Sequence, residues 1–477
     1  MPRTSMRPGA PFSLVLATLL LAVGLPALAQ DTRLVREPAI SAEHIAFTYG
    51  SDLWVVGREG GEARRLTSTP AVVSGPHFSP DGRRIAFTSA ESGVPHVHVV
   101  DVDGGNPVRL TWYPSSAQAR GWTPDGSRIL YATGRESAPT GYTRLWSVPA
   151  DGGPSTLLPS PFGFRGDVSA DGRTLVVEPT SRWDPEWRGY RGGQNVPLVL
   201  LDLETLDERL VPSERYYDSH PVWLDGRVYF LSDRDWATNI WTFDPATGEL
   251  EQLTFEADMD IKYLSAGAGL LVYEHDGWIH TLDPETGVSE RVSITVRGDF
   301  PWARPRWVDM GSSVRSAGLS ATGQRAVMES RGEIFTIPVE HGDSRNLSRS
   351  DGAADRAPVW SPVGDSVAWF SDDGNGYRLH IGHQDGLEPP RSLAIGESRM
   401  AWNPSWSPDG SRIAFMDERA RVQVVEVATG QVTTADLGSD ANDRTSMRPS
   451  WSPDSRWLVY QNRFPNQYRR LVVWSVE

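Results

Sequence analysis

The sequence has no cysteine in 477 residues, and a single lysine, Lys262, among its 46 basic side chains. The missing thiols exclude disulfides, thiolate metal ligation, a cysteine nucleophile and a lipoprotein-type anchor. Positive charge is short as well: 46 Lys and Arg stand against 61 Asp and Glu, a net charge of −15. That balance argues against nucleic acid or an anionic membrane as a partner. After residue 30 no apolar run is long enough to cross a bilayer, so no stable membrane insertion is expected. Amphipathic helical periodicity is missing over the same stretch. What is present is 39% hydrophobic and 22% charged, enough for a large core in a length that suits two domains.

The first residues read as a targeting segment. Arg3 and Arg7 precede an apolar stretch from Phe12 to Leu25, and Pro26 leads into Ala27-Leu28-Ala29. That is the layout of a cleavable signal peptide over 1–29, cut after Ala29, which predicts a periplasmic or secreted product. An uncleaved anchor helix fits less well, because the apolar stretch is short and a small-residue cleavage site follows it directly.

The rest of the chain repeats. Phe78-Ser79-Pro80-Asp81-Gly82 returns as Trp122-Thr123-Pro124-Asp125-Gly126, Trp360-Ser361-Pro362-Val363-Gly364, Trp406-Ser407-Pro408-Asp409-Gly410 and Trp451-Ser452-Pro453-Asp454-Ser455. Weaker copies begin at Val168, Val222 and Leu319. Each copy opens a strand such as Ile85-Ala86-Phe87, followed by one carrying Leu53-Trp54, Leu145-Trp146 or Ile240-Trp241, and closes on Leu66-Thr67, Leu110-Thr111 or Leu253-Thr254. Proline presets φ in the turn, Asp bonds its backbone and Gly takes the left-handed position. Four short strands per roughly 45 residues is the period of a β-propeller blade, so the predicted fold class is all-β, tandem β-propellers.

Counting units gives six over 30–292, a Pro/Trp-rich linker over 293–315, and four blades of a second ring over 316–477. The last unit ends in the strand Leu471 to Val476. The expectation is therefore an incomplete second ring, continued by residues beyond Glu477, because an unpaired sheet edge is normally closed in a propeller.

The Ser-Pro-Asp-Gly repeats resemble those of TolB-type propellers. A narrower likeness is carried by Ile294-Thr295-Val296-Arg297-Gly298-Asp299, Trp302-Ala303-Arg304-Pro305-Arg306-Trp307, Arg331-Gly332-Glu333-Ile334-Phe335-Thr336, Arg345-Asn346-Leu347-Ser348 and the insertion Trp187-Arg188-Gly189-Tyr190-Arg191-Gly192-Gly193. These segments resemble tricorn protease homologues over essentially all of 40–477. The resemblance implies a six-bladed ring followed by a seven-bladed one, placed ahead of a PDZ-like domain and a serine peptidase domain, and a role in sorting peptides toward and away from an active site. It implies that these 477 residues carry no catalytic residue and that the serine peptidase activity lies beyond them. The export signal departs from a cytosolic peptide-recycling role.

The residues agree with a non-catalytic segment. No Gly-x-Ser-x-Gly elbow occurs, and Ser79, Ser407 and Ser452 sit where turns need them. His96 and His98 alternate on one strand, without a third ligand, and read as an exposed face. His77 and His220 read as variable repeat positions. Asp101/Asp103 and Asp233/Asp235 read as turn caps. The insertion is the best candidate for peptide binding. Trp183, Trp187, Arg188, Tyr190 and Arg191 combine aromatic faces with guanidinium forks that suit an extended peptide and its carboxylate. A loop that packs its aromatics on a neighbouring blade is the alternative. No cofactor and no metal ligand set is expected. The partners expected are peptides or unfolded polypeptide segments, and self-association into a homo-oligomer stays open. Two other readings share the blades: a TolB-like protein-binding scaffold without activity, and the propeller region of an amidohydrolase or prolyl-oligopeptidase-type hydrolase.

Overall fold

The computed structural model describes residues 31–139, 141–181, 189–257, 259–300, 304–350, 352–373, 376–437, 448–463 and 468–476. The predicted signal segment, and Trp183, Trp187 and Arg188 of the insertion, lie outside the described residues.

Nearly every element is a short antiparallel strand, and the strands assemble into successive sheets in chain order. The innermost strands of the first six sheets are Arg36–Ile40, Val73–Phe78, Ala117–Trp122, Arg165–Val168, Asp218–Leu224 and Ile261–Gly267. Each touches the next, and the sixth returns to the first, which closes a six-bladed ring. A second series follows, with inner strands Val314–Leu319, Arg356–Trp360, Ala401–Trp406 and Ser450–Trp451 packed in order. The tandem-propeller architecture expected from the repeat is therefore present. Between the two series, the Arg399 guanidinium donates to the Ala257 carbonyl at 2.6 Å, and Arg419 stacks on Trp236 at 5.2 Å.

Adhesion between blades is hydrophobic. Phe47, Trp54 and Ile45 of the first blade share one buried cluster with Val272 and Ile279 of the sixth. Trp122, Tyr131 and Trp146 of the third blade share another with Ala86, Val97 and Val99 of the second. Burying side chains of this size stabilises by roughly 1.5–3 kcal/mol each, which makes these seams the main source of ring stability. The seam between first and last blades has an added clasp. Ile294–Val296 lies parallel to the outer strand Gly61–Arg65, while the Thr32 N–H donates to the Ile294 carbonyl at 2.7 Å. Arg291 also reaches Asp31 at 2.9 Å.

The repeated residues each have a repeated task. In the Ser-Pro-Asp-Gly turn the Ser79 hydroxyl donates to Asp81 and accepts the Arg84 N–H at 2.9 Å, and Thr123, Ser169 and Ser407 do the same. In three units the tryptophan before the turn donates its indole N–H to the preceding blade: Trp122 to the His77 carbonyl at 2.9 Å, Trp406 to that of Val359 at 3.3 Å and Trp451 to that of Ser405 at 3.0 Å. The Leu-Thr pair that ends a blade has a buried hydroxyl. Thr67, Thr111 and Thr254 accept the N–H of Leu53, Val97 and Ile240 at 2.9–3.0 Å. The same hydroxyl meets a polar side chain at one fixed blade position, Asp52, His96 or Asn239.

That last contact corrects the reading of His96 and His98 as an exposed face. Both are buried, at 3% and 5% exposure. The His96 Nδ1 atom meets the Thr111 hydroxyl at 3.1 Å, and His98 stacks on Phe87. The third strand of a blade is covered on both faces by its neighbours, so its polar side chains must find partners inside.

Candidate functional site

The bore of the first ring holds a cavity of about 470 Å³ lined by charged side chains of both signs. Its walls come from one recurring backbone device. A residue three or four positions before the end of the inner strand takes the left-handed conformation in several blades: Glu37 (φ 51°), Gly75 (57°), His220 (52°), Ala357 (52°) and Asn403 (53°). Each sits in a β-bulge. A non-glycine residue pays roughly 1–2 kcal/mol for that conformation. The bulge also frees the residue's N–H from the sheet ladder.

A carboxylate from the adjacent blade receives that N–H. Glu274 accepts from Glu37 at 3.1 Å, Glu37 from Gly75 at 2.7 Å, Glu178 from His220 at 3.1 Å and Glu329 from Ala357 at 2.9 Å. Glu178, Glu274 and Glu329 stand at one equivalent position, the fifth residue of the second strand reckoned from its turn end. Bulge and carboxylate thus link neighbouring blades around the bore and leave the flanking side chains pointing into it.

Those side chains divide the bore. Blades three and four contribute Arg120, Phe164 and Arg165; blades six and one contribute Asp260, Glu274 and Glu37, with Lys262 and Arg36 beside them. In a six-bladed ring blade three faces blade six, and blade four faces blade one. Several charges are paired: Arg165 with Glu178 at 3.2 Å, Lys262 with Asp260 at 3.7 Å and Arg36 with Glu274 at 3.9 Å. Arg120 has no carboxylate within ion-pair distance among the described residues. Its Nε donates to the Phe164 carbonyl at 2.7 Å and its Nη2 to Gln118.

Ionisation in the bore follows from enclosure. Burial, and then the neighbouring Arg165, bring the Arg120 pKa down to about 9. Burial works against the charge of Arg165 too, but Glu178 with the Tyr217 and Tyr263 hydroxyls outweighs it and raises the pKa. Burial pushes the Asp167 carboxyl up to about 6 although it accepts the Trp223 and Val168 N–H groups. His77 falls to about 3 and His220 well below the usual imidazole range, first through burial and then through the arginines. Neutral imidazoles with such low pKa values are poor proton shuttles near neutral pH.

The insertion is anchored at its described end. Arg191 grips both oxygens of Asp233 at 3.1 Å, donates to the Asp233 carbonyl, and stacks on Tyr216 at 4.5 Å. The Tyr190 carbonyl accepts from Asn195 at 2.6 Å. Asp233 is fully buried and also accepts the Tyr217 N–H at 2.8 Å, which corrects its reading as a turn cap. It ties the insertion to the fifth blade. The structure does not bring Arg191 into the cavity. It brings His220, read from sequence as a variable repeat position, onto the cavity wall. Arg120, Arg165, Glu37 and Tyr263 drew no attention in the sequence. Their one signal is position: each lies two to four residues before the last residue of an inner strand, Trp122, Val168, Ile40 or Gly267.

A closed ring of six blades around a charged, polar bore, followed by further blades of the same kind, defines a tandem β-propeller. The tricorn protease N-terminal beta propeller domain family matches residues 32–288. The chain belongs to that family. Tricorn protease homolog 1 of Streptomyces coelicolor is 30% identical over 454 residues, covering 92% of this chain and 41% of the relative. A tricorn protease homolog of Saccharolobus solfataricus is 25% identical over 393 residues, 82% of this chain and 36% of the relative. The chain therefore spans about two fifths of the length of the relatives it matches. The crystal structure of the tricorn protease superposes with a TM-score of 0.52 at 20% identity, over 92% of this chain and 43% of that one, a likeness of fold. Among the described residues no helix is long and apolar enough to cross a membrane.

Proposed function

We propose that this chain is the peptide-admitting and scaffolding propeller region of an exported serine peptidase of tricorn type, with the catalytic residues outside these 477 positions. The observation that carries the reading is the first-ring bore. It is polar-walled and lined by charges of both signs. Extended peptides present backbone donors and acceptors along their length, and a wall of Arg, Glu, Tyr and Ser side chains can meet them without demanding one sequence. Family membership supports the peptide, because the relatives are named as proteases. The signal-like segment supports export to the periplasm or beyond. The insertion residues Trp183, Trp187, Arg188, Tyr190 and Arg191 stay part of this reading as a peptide-binding segment, on the chemistry of their aromatic and guanidinium side chains.

The test is photo-crosslinking of the purified chain with a benzophenone-bearing decapeptide, mapped by mass spectrometry. Saturable labelling of the bore, at Tyr263 or Phe164, without cleavage of the peptide is the expected result. Labelling confined to the outer edges of the blades would remove the bore from the peptide's path. Cleavage by this chain alone would refute the placement of catalysis elsewhere.

A further inference from the structure

We infer that a cleft at the junction of the second and third blades is a docking site for a proline-rich segment in the polyproline II conformation. The cleft has a volume of about 330 Å³ and shares no lining residue with the bore. One side of it is residues 110–115, which carry the chain from the last strand of the second blade, Val108–Arg109, to the inner strand of the third, Ala117–Trp122. Tyr131, Arg135 and Pro154 of the third blade contribute the other side.

Two aromatic side chains of the cleft are open to solvent, Trp112 at 73% exposure and Tyr113 at 46%. Each is backed by a guanidinium that is itself tied down. Arg109 lies 4.3 Å from the centroid of the Trp112 ring, and its Nε donates to the Thr111 carbonyl at 2.7 Å. Arg135 lies 4.3 Å from the Tyr113 centroid and 4.5 Å from that of Trp146, with its Nε on Glu136 at 3.0 Å. The Ser115 and Thr133 hydroxyls, 3.1 Å apart, join the two sides of the cleft. A stacked guanidinium fixes an aromatic plane and leaves its other face to a ligand, so the site loses little freedom on binding.

The polar groups of the cleft favour a ligand that accepts hydrogen bonds and has few to donate. No Asp, Glu, Asn or Gln lines it; its side chains offer the Arg135 guanidinium, the Trp112 indole N–H and the hydroxyls of Tyr113, Tyr131 and Ser155. The Thr111 hydroxyl already accepts the Val97 N–H, and that of Thr133 the Arg135 N–H at 3.2 Å. Behind Arg135 the Trp146 indole N–H is buried without a hydrogen-bond partner among the described residues, a further donor in surplus. A proline-rich segment answers this set. Each proline lacks an N–H, its carbonyl accepts, and its ring packs against an aromatic face. Polyproline II has no internal hydrogen bonds and is extended before it binds, so its carbonyls are available at a small ordering cost. An oligosaccharide also stacks on tryptophan, but its hydroxyls need acceptors as well as donors, and no carboxylate or amide side chain lines the cleft to supply them.

The docking site does not rest on a peptide path through the bore, and its test separates the two. Binding of fluorescein-labelled decaproline to the full chain is followed by anisotropy. A labelled decapeptide of alternating Ala and Ser is the comparison, and unlabelled maltohexaose the competitor. Decaproline should bind saturably, at least about tenfold more tightly than the Ala-Ser peptide, and maltohexaose should not displace it. Trp112→Ala and Tyr113→Ala should each weaken decaproline by about tenfold or more, as removal of an aromatic anchor does. Both side chains are exposed, so neither change opens the core. Tyr113→Phe keeps the ring and should lose less than Tyr113→Ala. Trp307→Ala, at an exposed tryptophan outside the cleft, should change nothing. Equal binding of the two decapeptides overturns the site. So does decaproline binding that survives Trp112→Ala, which places the peptide elsewhere, the bore included. Displacement by maltohexaose that depends on Trp112 would make the cleft a carbohydrate site and refute the proline assignment.

Discussion

The Glu274 carboxylate, on the sixth blade, accepts the backbone N–H of Glu37, on the first, at 3.1 Å. This bond sits at the one seam of the ring that chain connectivity does not bridge. Glu37 then passes the link onward, because its own carboxylate accepts the Gly75 N–H of the second blade at 2.7 Å. Burial raises the Glu274 pKa, so the seam holds an acceptor that is costly to ionise and is offset by its N–H donor and Arg36. The apolar cluster of Phe47, Trp54 and Val272 supplies adhesion at this seam, and the carboxylate supplies its register.

Glu274→Ala should therefore destabilise the chain by about 1–3 kcal/mol, the cost of leaving a buried N–H unpaired. Glu274→Gln, which can still accept that bond, should cost less than about 1 kcal/mol. Urea denaturation of both variants separates the two. Equal losses would show that side-chain packing, not the bond, carries the effect.

The Thr111 hydroxyl makes a second prediction. It accepts the Val97 N–H and meets His96 Nδ1 in a buried setting. Thr111→Val keeps the shape, removes both bonds and should cost about 1–3 kcal/mol, while Thr111→Ser should stay close to the parent. Thermal melting checks the pair, and a Val variant as stable as the parent would deny the hydroxyl its role.

His96 also shows what the sequence could and could not disclose. The turn residues Ser79, Asp81 and Gly82, the Trp ahead of several turns and the terminal Leu-Thr pair were all visible, because several blades reuse them. Their tasks are local or reach one blade away at a fixed offset. His96 belongs to such a position, but Asp52, His96 and Asn239 share only hydrogen-bonding capacity, not residue type. The bore was harder still. Glu37, Gly75 and His220 occupy one backbone state and have no side-chain chemistry in common, and Glu178 meets His220 across 42 residues. Arg120 and Arg165 look like any of the many arginines in the chain until the ring brings them to one phenylalanine.

Arg191 anchors the insertion to the fifth blade through Asp233, whose side chain is 1% exposed. Arg191→Met removes the guanidinium from a buried carboxylate and should cost about 3–5 kcal/mol. The double variant Arg191→Met with Asp233→Asn should recover a large part of that loss, since the stranded charge is then gone. Denaturant midpoints of the single and double variants decide it. No recovery in the double variant would mean that stacking on Tyr216 matters more than charge.

The Asp167 carboxyl gives the ring a pH dependence of known sign. Its pKa is raised from the ordinary 3.8 to about 6 in the folded chain, chiefly by burial. The folded state therefore holds this proton more tightly than the unfolded chain does. The resulting stability is fully present below about pH 4 and is lost as pH rises through about 6, with a total of about 3 kcal/mol at about 1.4 kcal/mol per pH unit. Asp167→Asn cannot ionise. Its amide keeps one acceptor for the Trp223 or Val168 N–H and loses the other, a penalty of about 1 kcal/mol that is the same at every pH. The stability of the variant relative to the parent should thus climb steadily between about pH 4 and pH 6.5 and be flat above that. Melting curves of the two proteins across this range test the claim through the difference alone, so other titrating groups cancel. A constant difference would mean that Asp167 stays ionised throughout, held by its two N–H donors against the cost of burial.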